Sequence, residues 1–341
     1  MLIREVENPR LKDLTRFFSS QARERKEKIL DGIQIVGSGK GAIALILKYL
    51  SEKGVIKNKL DEIMMADWIG YWVYDQIQPF AFPVKRFSDK TKVLFVYHQY
   101  GFPQDMDKIL EFAFNKKLII VEDCAHALAS YYKGRPLGTF GDFSIYSFSK
   151  WFFCFALGGV KSKFDDFPAY VDKSLSEVPF GLTFIKDLFK FLYEWSSFSG
   201  SPVFRRYTFL LLNMSYSLYG EALKPSHLAI RSFFCKIENE INVRQKRYHY
   251  FWDKVSHLGI CDHLEREGIT PYVIPIYCPE SKNEKLLRAL RDKNIVTGLY
   301  HFDINRNMLS PKFIQCVWIP CHSGISDEKF NEIIELVYKV L

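Results

Sequence analysis

The stretch from Leu118 to Gly159 leaves this chain few ways to fold. Two short apolar runs, Leu118–Val121 and Phe143–Phe148, are rich in β-branched and aromatic residues. Continuous apolar runs of this length read as strands buried on both faces, the pattern of a parallel sheet covered by helices. Each run delivers a charged group at its end. Asp123 lies two positions past the first, and Lys150 closes the segment SFSK at the end of the second, 27 positions later, with Gly158-Gly159 beyond. In such sheets ligands sit past the carboxyl ends of the strands, so a carboxylate and an amine placed there are placed for chemistry.

Strands and helices alternate on both sides of this block. Ile33–Val36 reads as a strand, followed by the glycine turn GSGKG (37–41) and an apolar helix, Ala42–Leu50. Free amides and the helix dipole make such a turn an anion site. Ile63–Met65 and Val93–Tyr97 are further strands, Trp68–Ile77 a helix or turn, and a helix runs to about Asn115. The expected fold class is α/β, with a mostly parallel sheet sandwiched by helices. His98, Asp123 and the glycine turn all fall just past strand ends and so converge.

Residues 1–30 read as a polar, solvated helix with a basic stretch at Arg23–Lys28. Residues 161–222 are aromatic and break the alternation. TFIKDLFKFLYEW (183–195) has helical apolar spacing, Ser196–Pro202 is a linker, and Tyr207–Leu218 is a second apolar helix. Residues 226–257 read as one long helix. The remainder alternates strand and helix through YVIPIYC, KNEKLLRALRDKN, IVTGLY, CVWIPC and SDEKFNEIIELVYKV. The expected division is a large unit over 1–225 and a smaller C-terminal α/β unit over 226–341.

Composition narrows the function. A net charge of +8 suits anionic ligands but is too dispersed for nucleic acid. Seven scattered cysteines without a CxxC pair read as free thiols of a reducing compartment, with no metal site. The amino-terminal residues carry no signal-peptide pattern, and no apolar stretch reaches about 20 residues, the length a membrane span needs. A cytoplasmic protein is expected. Together, Asp123 and Lys150 are the pair that pyridoxal phosphate (PLP) chemistry requires: an amine for the cofactor aldehyde, and a carboxylate that keeps the pyridine nitrogen protonated.

Four segments, in order, carry a resemblance: SGKGAIAL (38–45), HQYGFPQDMDKI (98–109), VEDCAHALASYYKGRPLGTFGDFSIYSFSK (121–150) and IPCHSGISDEKFNEII (319–334). They resemble the DegT/DnrJ/EryC1/StrS sugar aminotransferases, which have the type I aminotransferase fold. The resemblance implies PLP as cofactor, Lys150 as its Schiff-base lysine and Asp123 as the partner of its pyridine nitrogen. It places His126 near the cofactor's phenolic oxygen, and Ser147 with Gly39, Lys40 and Gly41 at its phosphate. Trp68 takes the position of an aromatic stacked on the ring, with Tyr71 and Trp72 as competitors. His98 and Tyr100 receive no chemical role.

The implied reaction is amino transfer to a nucleotide-linked keto-sugar, with glutamate as donor, in surface-polysaccharide or deoxyamino-sugar biosynthesis. A homodimer is implied too, with the aromatic 161–222 segment supplying dimer contacts rather than a membrane surface. Four departures are visible. SFSK is two residues shorter than the family's loop, and Lys40 replaces a threonine. The segment between Ile77 and Val93 is shortened. The asparagine that reaches a partner's phosphate has no match near Tyr219–Pro225. They leave open a PLP enzyme of altered chemistry, or a non-catalytic sensor or assembly protein on the same fold.

Overall fold

The computed structural model describes residues 2–15, 30–197, 201–215 and 217–341. Of the polar helix expected over 1–30, residues 16–29, with the basic stretch Arg23–Lys28, lie outside these residues, and residues 2–10, which lie within them, are not helical. Leu11–Thr15 is helical.

Twelve strands are present among the described residues: β1 (Gln34–Val36), β2 (Glu62–Met65), β3 (Phe82–Val84), β4 (Thr91–Tyr97), β5 (Ile119–Asp123), β6 (Tyr131–Tyr132), β7 (Arg135–Pro136), β8 (Phe143–Ser147), β9 (Gly158–Ser162), β10 (Ile274–Tyr277), β11 (Leu299–Asp303) and β12 (Phe313–Ile319). Seven form the central sheet in the order β1-β9-β8-β5-β4-β2-β3. The run from β3 to β8 is parallel throughout. β9 runs antiparallel to both its neighbours, β8 and β1. The sheet is therefore mostly parallel, and the fold α/β, as the alternation of strands and helices requires.

Side chains of successive strand residues alternate between two cores. Val93, Phe95, Val121, Phe143 and Ile145 pack with the helix Gly39–Glu52 and with Phe167 on one face. Leu94, Val96 and Ile120 pack with the helix Met106–Lys116, Phe152 and Phe233 on the other. Two strands of the central sheet were not legible in the sequence. β3 is a three-residue edge strand containing Pro83, a residue that sheets tolerate at edges. β9 begins at the glycine pair, and a Cβ on Gly158 would lie 2.3 Å from the carbonyl carbon of Ser38. Glycine is what lets β9 lie against the turn that follows β1.

β10, β12 and β11 form a second, antiparallel sheet with its own core, covered by the helices Glu280–Asp292 and Asp327–Val340. The single helix expected over 226–257 is two helices, His227–Phe234 and Ile237–Val255. At the break, Lys236 turns its amine to Glu7 (3.1 Å), Asp13 (3.2 Å) and the Phe153 carbonyl (3.1 Å). The aromatic segment forms the helices Phe180–Ser196 and Pro202–Met214, packed on each other through Tyr193–Phe209 and a Thr208–Ser196 hydrogen bond of 2.8 Å. The amino-terminal segment is held by the C-terminal part: Ile3 bridges Ile295 in parallel register. Among the described residues, no helix is long and apolar enough to cross a membrane.

Candidate active site

The last two residues of β5 are both acidic and point in opposite directions. Glu122 is completely buried and faces the turn that follows β7. Its Oε1 accepts from the amides of Phe140 (2.7 Å) and Gly141 (2.6 Å), and its Oε2 accepts from the Gly138 amide (2.9 Å). His98 Nε2 lies 3.1 Å from Oε2. The Gln104 amide donates to His98 Nδ1, which puts the ring proton on Nε2, aimed at Glu122. Burial opposes ionisation of Glu122, yet His98 and the turn amides outweigh it and hold the carboxyl below its usual range. His98, Glu122 and Cys124 are close enough to suggest a metal site, but the carboxylate's acceptor positions are already filled. This cluster is a brace, and the turn 133–141 folds around it.

Asp123 faces the other way, into a cavity of about 540 Å³. Its Oδ1 accepts from the Ala125 amide at 2.9 Å. Burial pushes its pKa up to about 6, against the opposing effects of that amide and of Lys150. Residues 124–129 form turns, with Ala127 N donating to Cys124 O at 3.0 Å. His126 lines the same cavity. Its ring stacks on Tyr272 with centroids 3.9 Å apart and planes 6° from parallel, and its Nδ1 meets the Tyr97 hydroxyl at 2.7 Å. Burial drives the imidazole's pKa well below its ordinary value, and the charges of Lys150 and Arg244 act in the same sense. The ring is neutral at physiological pH.

Lys150 ends a single 3-10 turn, Phe148–Lys150. The short loop is pinned from three sides. Phe148 N donates to Leu157 O (3.0 Å), and Trp151 Nε1 donates to Ala125 O (3.1 Å), in the turn after Asp123. Arg244 Nη2 donates to Trp151 O (2.9 Å) from the helix Ile237–Val255. Phe148, Trp151, Phe152 and Phe153 are all buried, as a desolvated setting demands. The Lys150 side chain is reached by solvent through the cavity it lines, and among the described residues it makes no hydrogen bond or ion pair. The protein packed around it lowers its pKa, and Lys190 adds to this, while Glu5, Glu194 and Asp123 oppose it.

The glycine turn is arranged differently from expectation at one position. Ser38 caps the helix: its Oγ accepts from Gly41 N (2.9 Å) and donates to Tyr219 O (2.5 Å). The Gly41 amide is thus engaged within the chain, and a Cβ there would lie 2.5 Å from the Glu221 carbonyl oxygen. Gly41 is needed for packing and does not line the cavity, whereas Gly39, Lys40 and Ser147 do. Lys40 Nζ sits 4.5 Å over the Trp72 ring. Burial lowers its pKa to about 8, opposed by Asp75 and reinforced by Lys150 and Lys190. Trp68 does not line the cavity. It lies against His301, centroids 4.9 Å apart, beside a small neighbouring recess. The aromatic residue of this segment in the cavity wall is Trp72, because the helix starts at Tyr71 and its first turn faces Lys40.

Three groups of lining residues escaped the sequence reading. Arg4 and Glu5 come from the amino-terminal segment, Lys190, Glu194 and Asn213 from the helical pair 180–214, and Tyr97 and Tyr272 from opposite sides of His126. Lys190 and Glu194 pair at 2.5 Å, and Arg4 approaches Glu194 at 3.6 Å. The available signal was the i,i+4 Lys–Glu spacing inside an otherwise aromatic helix.

Comparison with known proteins bears on this geometry. Residues 85–161 match the sequence model of the DegT/DnrJ/EryC1/StrS aminotransferase family. The match covers less than a quarter of the chain, and over that segment the chain is similar to this family. GDP-perosamine synthase of Escherichia coli O157:H7 is 47% identical over 64 residues, which is 19% of this chain and 18% of that protein. A dTDP-3-amino-3,4,6-trideoxy-alpha-D-glucose transaminase of Streptomyces venezuelae is 39% identical over 77 residues, 22% and 20% of the two chains. The match thus spans about a fifth of the length of these curated relatives. A Streptococcus pneumoniae protein assigned as a sugar aminotransferase, solved in its PLP form, superposes over 100% of both chains with a TM-score of 0.66 and 16% identity. At that identity the likeness is one of fold, and it extends the aminotransferase fold to the whole chain.

The family segment contains Asp123, His126, Ser147 and Lys150, together with the Glu122 brace. Lys40, Lys190, Arg4 and Tyr272 lie outside it. The matched segment therefore supplies the sheet floor of the cavity.

Proposed function

We propose that this protein is a PLP-dependent aminotransferase acting on a nucleotide-linked keto-sugar, with glutamate as amino donor, in deoxyamino-sugar or surface-polysaccharide biosynthesis. The observation that carries the reading is one cavity that joins a buried Asp123, a neutral His126 and a Lys150 amine without an ion-pair partner among the described residues. Its volume of about 540 Å³ lies within the usual range for cofactor sites. Lys40, Lys150 and Lys190 line it together, and Lys40 is depressed by both of the others. An anion among three mutually repelling amines relieves that repulsion, which is what a phosphate would do beside Gly39, Lys40 and Ser147.

When bound, the cofactor supplies an electron sink for the carbon that carries the amino group. The chain supplies the rest. Asp123 would hold the proton on the pyridine nitrogen, and its burial concentrates that interaction on one partner. His126, fixed by Tyr97 and stacked on Tyr272, would be held beside the cofactor. Lys150 would hold the cofactor through Nζ, then carry a proton at that same nitrogen between donor, cofactor and sugar. Two curated relatives are named for GDP-linked and dTDP-linked amino sugars, which supports the substrate class. The exposed apolar side chains of the helical pair, Phe180, Leu182, Tyr207 and Leu210 among them, support a homodimer, which light scattering would read directly.

The test has two arms. Purified protein given PLP is expected to develop a visible absorbance band that Lys150→Ala abolishes. Nucleotide keto-sugars supplied with glutamate are expected to show the keto-to-amino mass change, with Lys150→Ala slowing turnover by on the order of 10²–10⁴-fold. A protein that stays colourless with PLP would sink the reading and leave a non-catalytic role on this fold.

A further inference from the structure

Lys150 is surrounded by charged groups from several elements. Asp123 and His126 face it from β5 and the following turn, and Lys40 from the helix Gly39–Glu52. Arg4, Glu5 and Glu7 come from the amino-terminal segment, and Lys190 and Glu194 from the helix Phe180–Ser196; the phenols of Tyr97 and Tyr272 complete the wall. Lys150 is paired with none of them among the described residues. Lys190, by contrast, is held in place. Its Nζ pairs with Glu194 Oε1 at 2.5 Å, Glu194 Oε2 lies 3.6 Å from Arg4 Nη1, and that same nitrogen donates to Ser197 Oγ at 3.3 Å. The chain of contacts ties the end of the helix to the amino-terminal segment, so the Lys190 ammonium stays on the cavity wall.

We propose that Lys190 is a positioning residue that keeps the Lys150 amine in its nucleophilic, unprotonated form. The inference rests on the role given to Lys150 above, and it concerns a residue outside the segment matched to the family. A lysine attacks a carbonyl only as the free amine, and a second fixed ammonium lining the same cavity disfavours protonation of the first. After burial itself, Lys190 is the largest influence lowering the Lys150 pKa, while Glu194 acts in the opposite sense. The two partners of one ion pair therefore push Lys150 in opposite directions, and this separates an electrostatic role from a structural one.

The experiment uses the full chain without added PLP. Trace labelling with an amine-acylating ester across a pH series, read at Lys150 by mass spectrometry, gives the pH midpoint of its reactivity. K190M and its polar companion K190Q are expected to move that midpoint up by about one unit, a roughly tenfold loss of labelling at neutral pH. K190R is expected to leave it in place, and E194Q to move it down. A midpoint unmoved by K190M and K190Q, or moved the same way by K190M and E194Q, would overturn the inference. Wild-type protein that forms no visible band with PLP overturns the aminotransferase reading instead, and the labelling series still decides whether Lys190 governs Lys150.

Discussion

The carboxylate at position 122 receives three backbone amides and an imidazole, whereas its neighbour at 123 accepts from the Ala125 amide and otherwise faces the cavity. Identical chemistry thus has opposite thermodynamic effects. The folded-state pKa of Asp123 is raised from 3.8 to about 6, so any stability it contributes is present below pH 4 and is lost as pH rises through 6. Asp123→Asn is accordingly expected to stabilise the PLP-free protein above about pH 6, by at most about 3 kcal/mol, and to leave it unchanged near pH 4. Urea denaturation at the two pH values checks this, and the same variant is expected to lose the visible PLP band. Asp123 was legible from sequence because a carboxylate past a buried strand is conspicuous. Glu122 was not, because its partners are backbone amides of a turn more than a dozen residues away, and no side-chain pattern encodes them. Trp68 was misplaced for a similar reason. The choice between it and Trp72 depends on where a short helix begins, and Gly70 sets that start without a side-chain cap.

At the scale of elements, the cavity floor depends on how closely β9 approaches the turn after β1. A methyl group at 158 would meet the backbone of Ser38 and Gly39 at 2.3–2.4 Å, and backbone cannot yield as a flexible side chain can. Gly158→Ala is expected to cost about 1–3 kcal/mol in urea denaturation and to weaken PLP binding, because it displaces the turn that carries Gly39 and Lys40. Periodicity located the parallel strands β2, β4, β5 and β8 and the helices that cover them. It failed at β9, since a glycine pair signals a turn unless the neighbouring backbone is known. It also failed at Cys235–Lys236, where helical spacing continues but Lys236 is drawn to Glu7, Asp13 and the Phe153 carbonyl. Both failures come from tertiary contacts that override a sound local pattern.

At the scale of the molecule, Arg244 joins the two sheets at the site. It is fully buried, pairs with Glu240 at 2.5 Å, and donates to the carbonyls of Pro271, Tyr272 and Trp151. One side chain thereby fixes the Lys150 loop and the strand-side residue that stacks on His126. Removing it strands a buried Glu240 and frees both, so Arg244→Ala is expected to cost about 3–5 kcal/mol in urea denaturation and to lower PLP affinity. A conservative Arg244→Lys retains the charge but not the fork of donors, and is expected to recover only part of the loss. The long-range joins are what the sequence could not reveal, because neither Arg244 nor the amino-terminal residues carry a motif. The pairing of Ile3 with Ile295 has a consequence in time. Residue 3 leaves the ribosome 292 positions ahead of its partner, which at roughly 5–20 residues per second is a wait of about 15–60 s. Arg4 and Glu5 therefore cannot take their places in the cavity wall while the chain is being made. The sheet floor can assemble during synthesis, but the finished pocket is a product of the completed polypeptide.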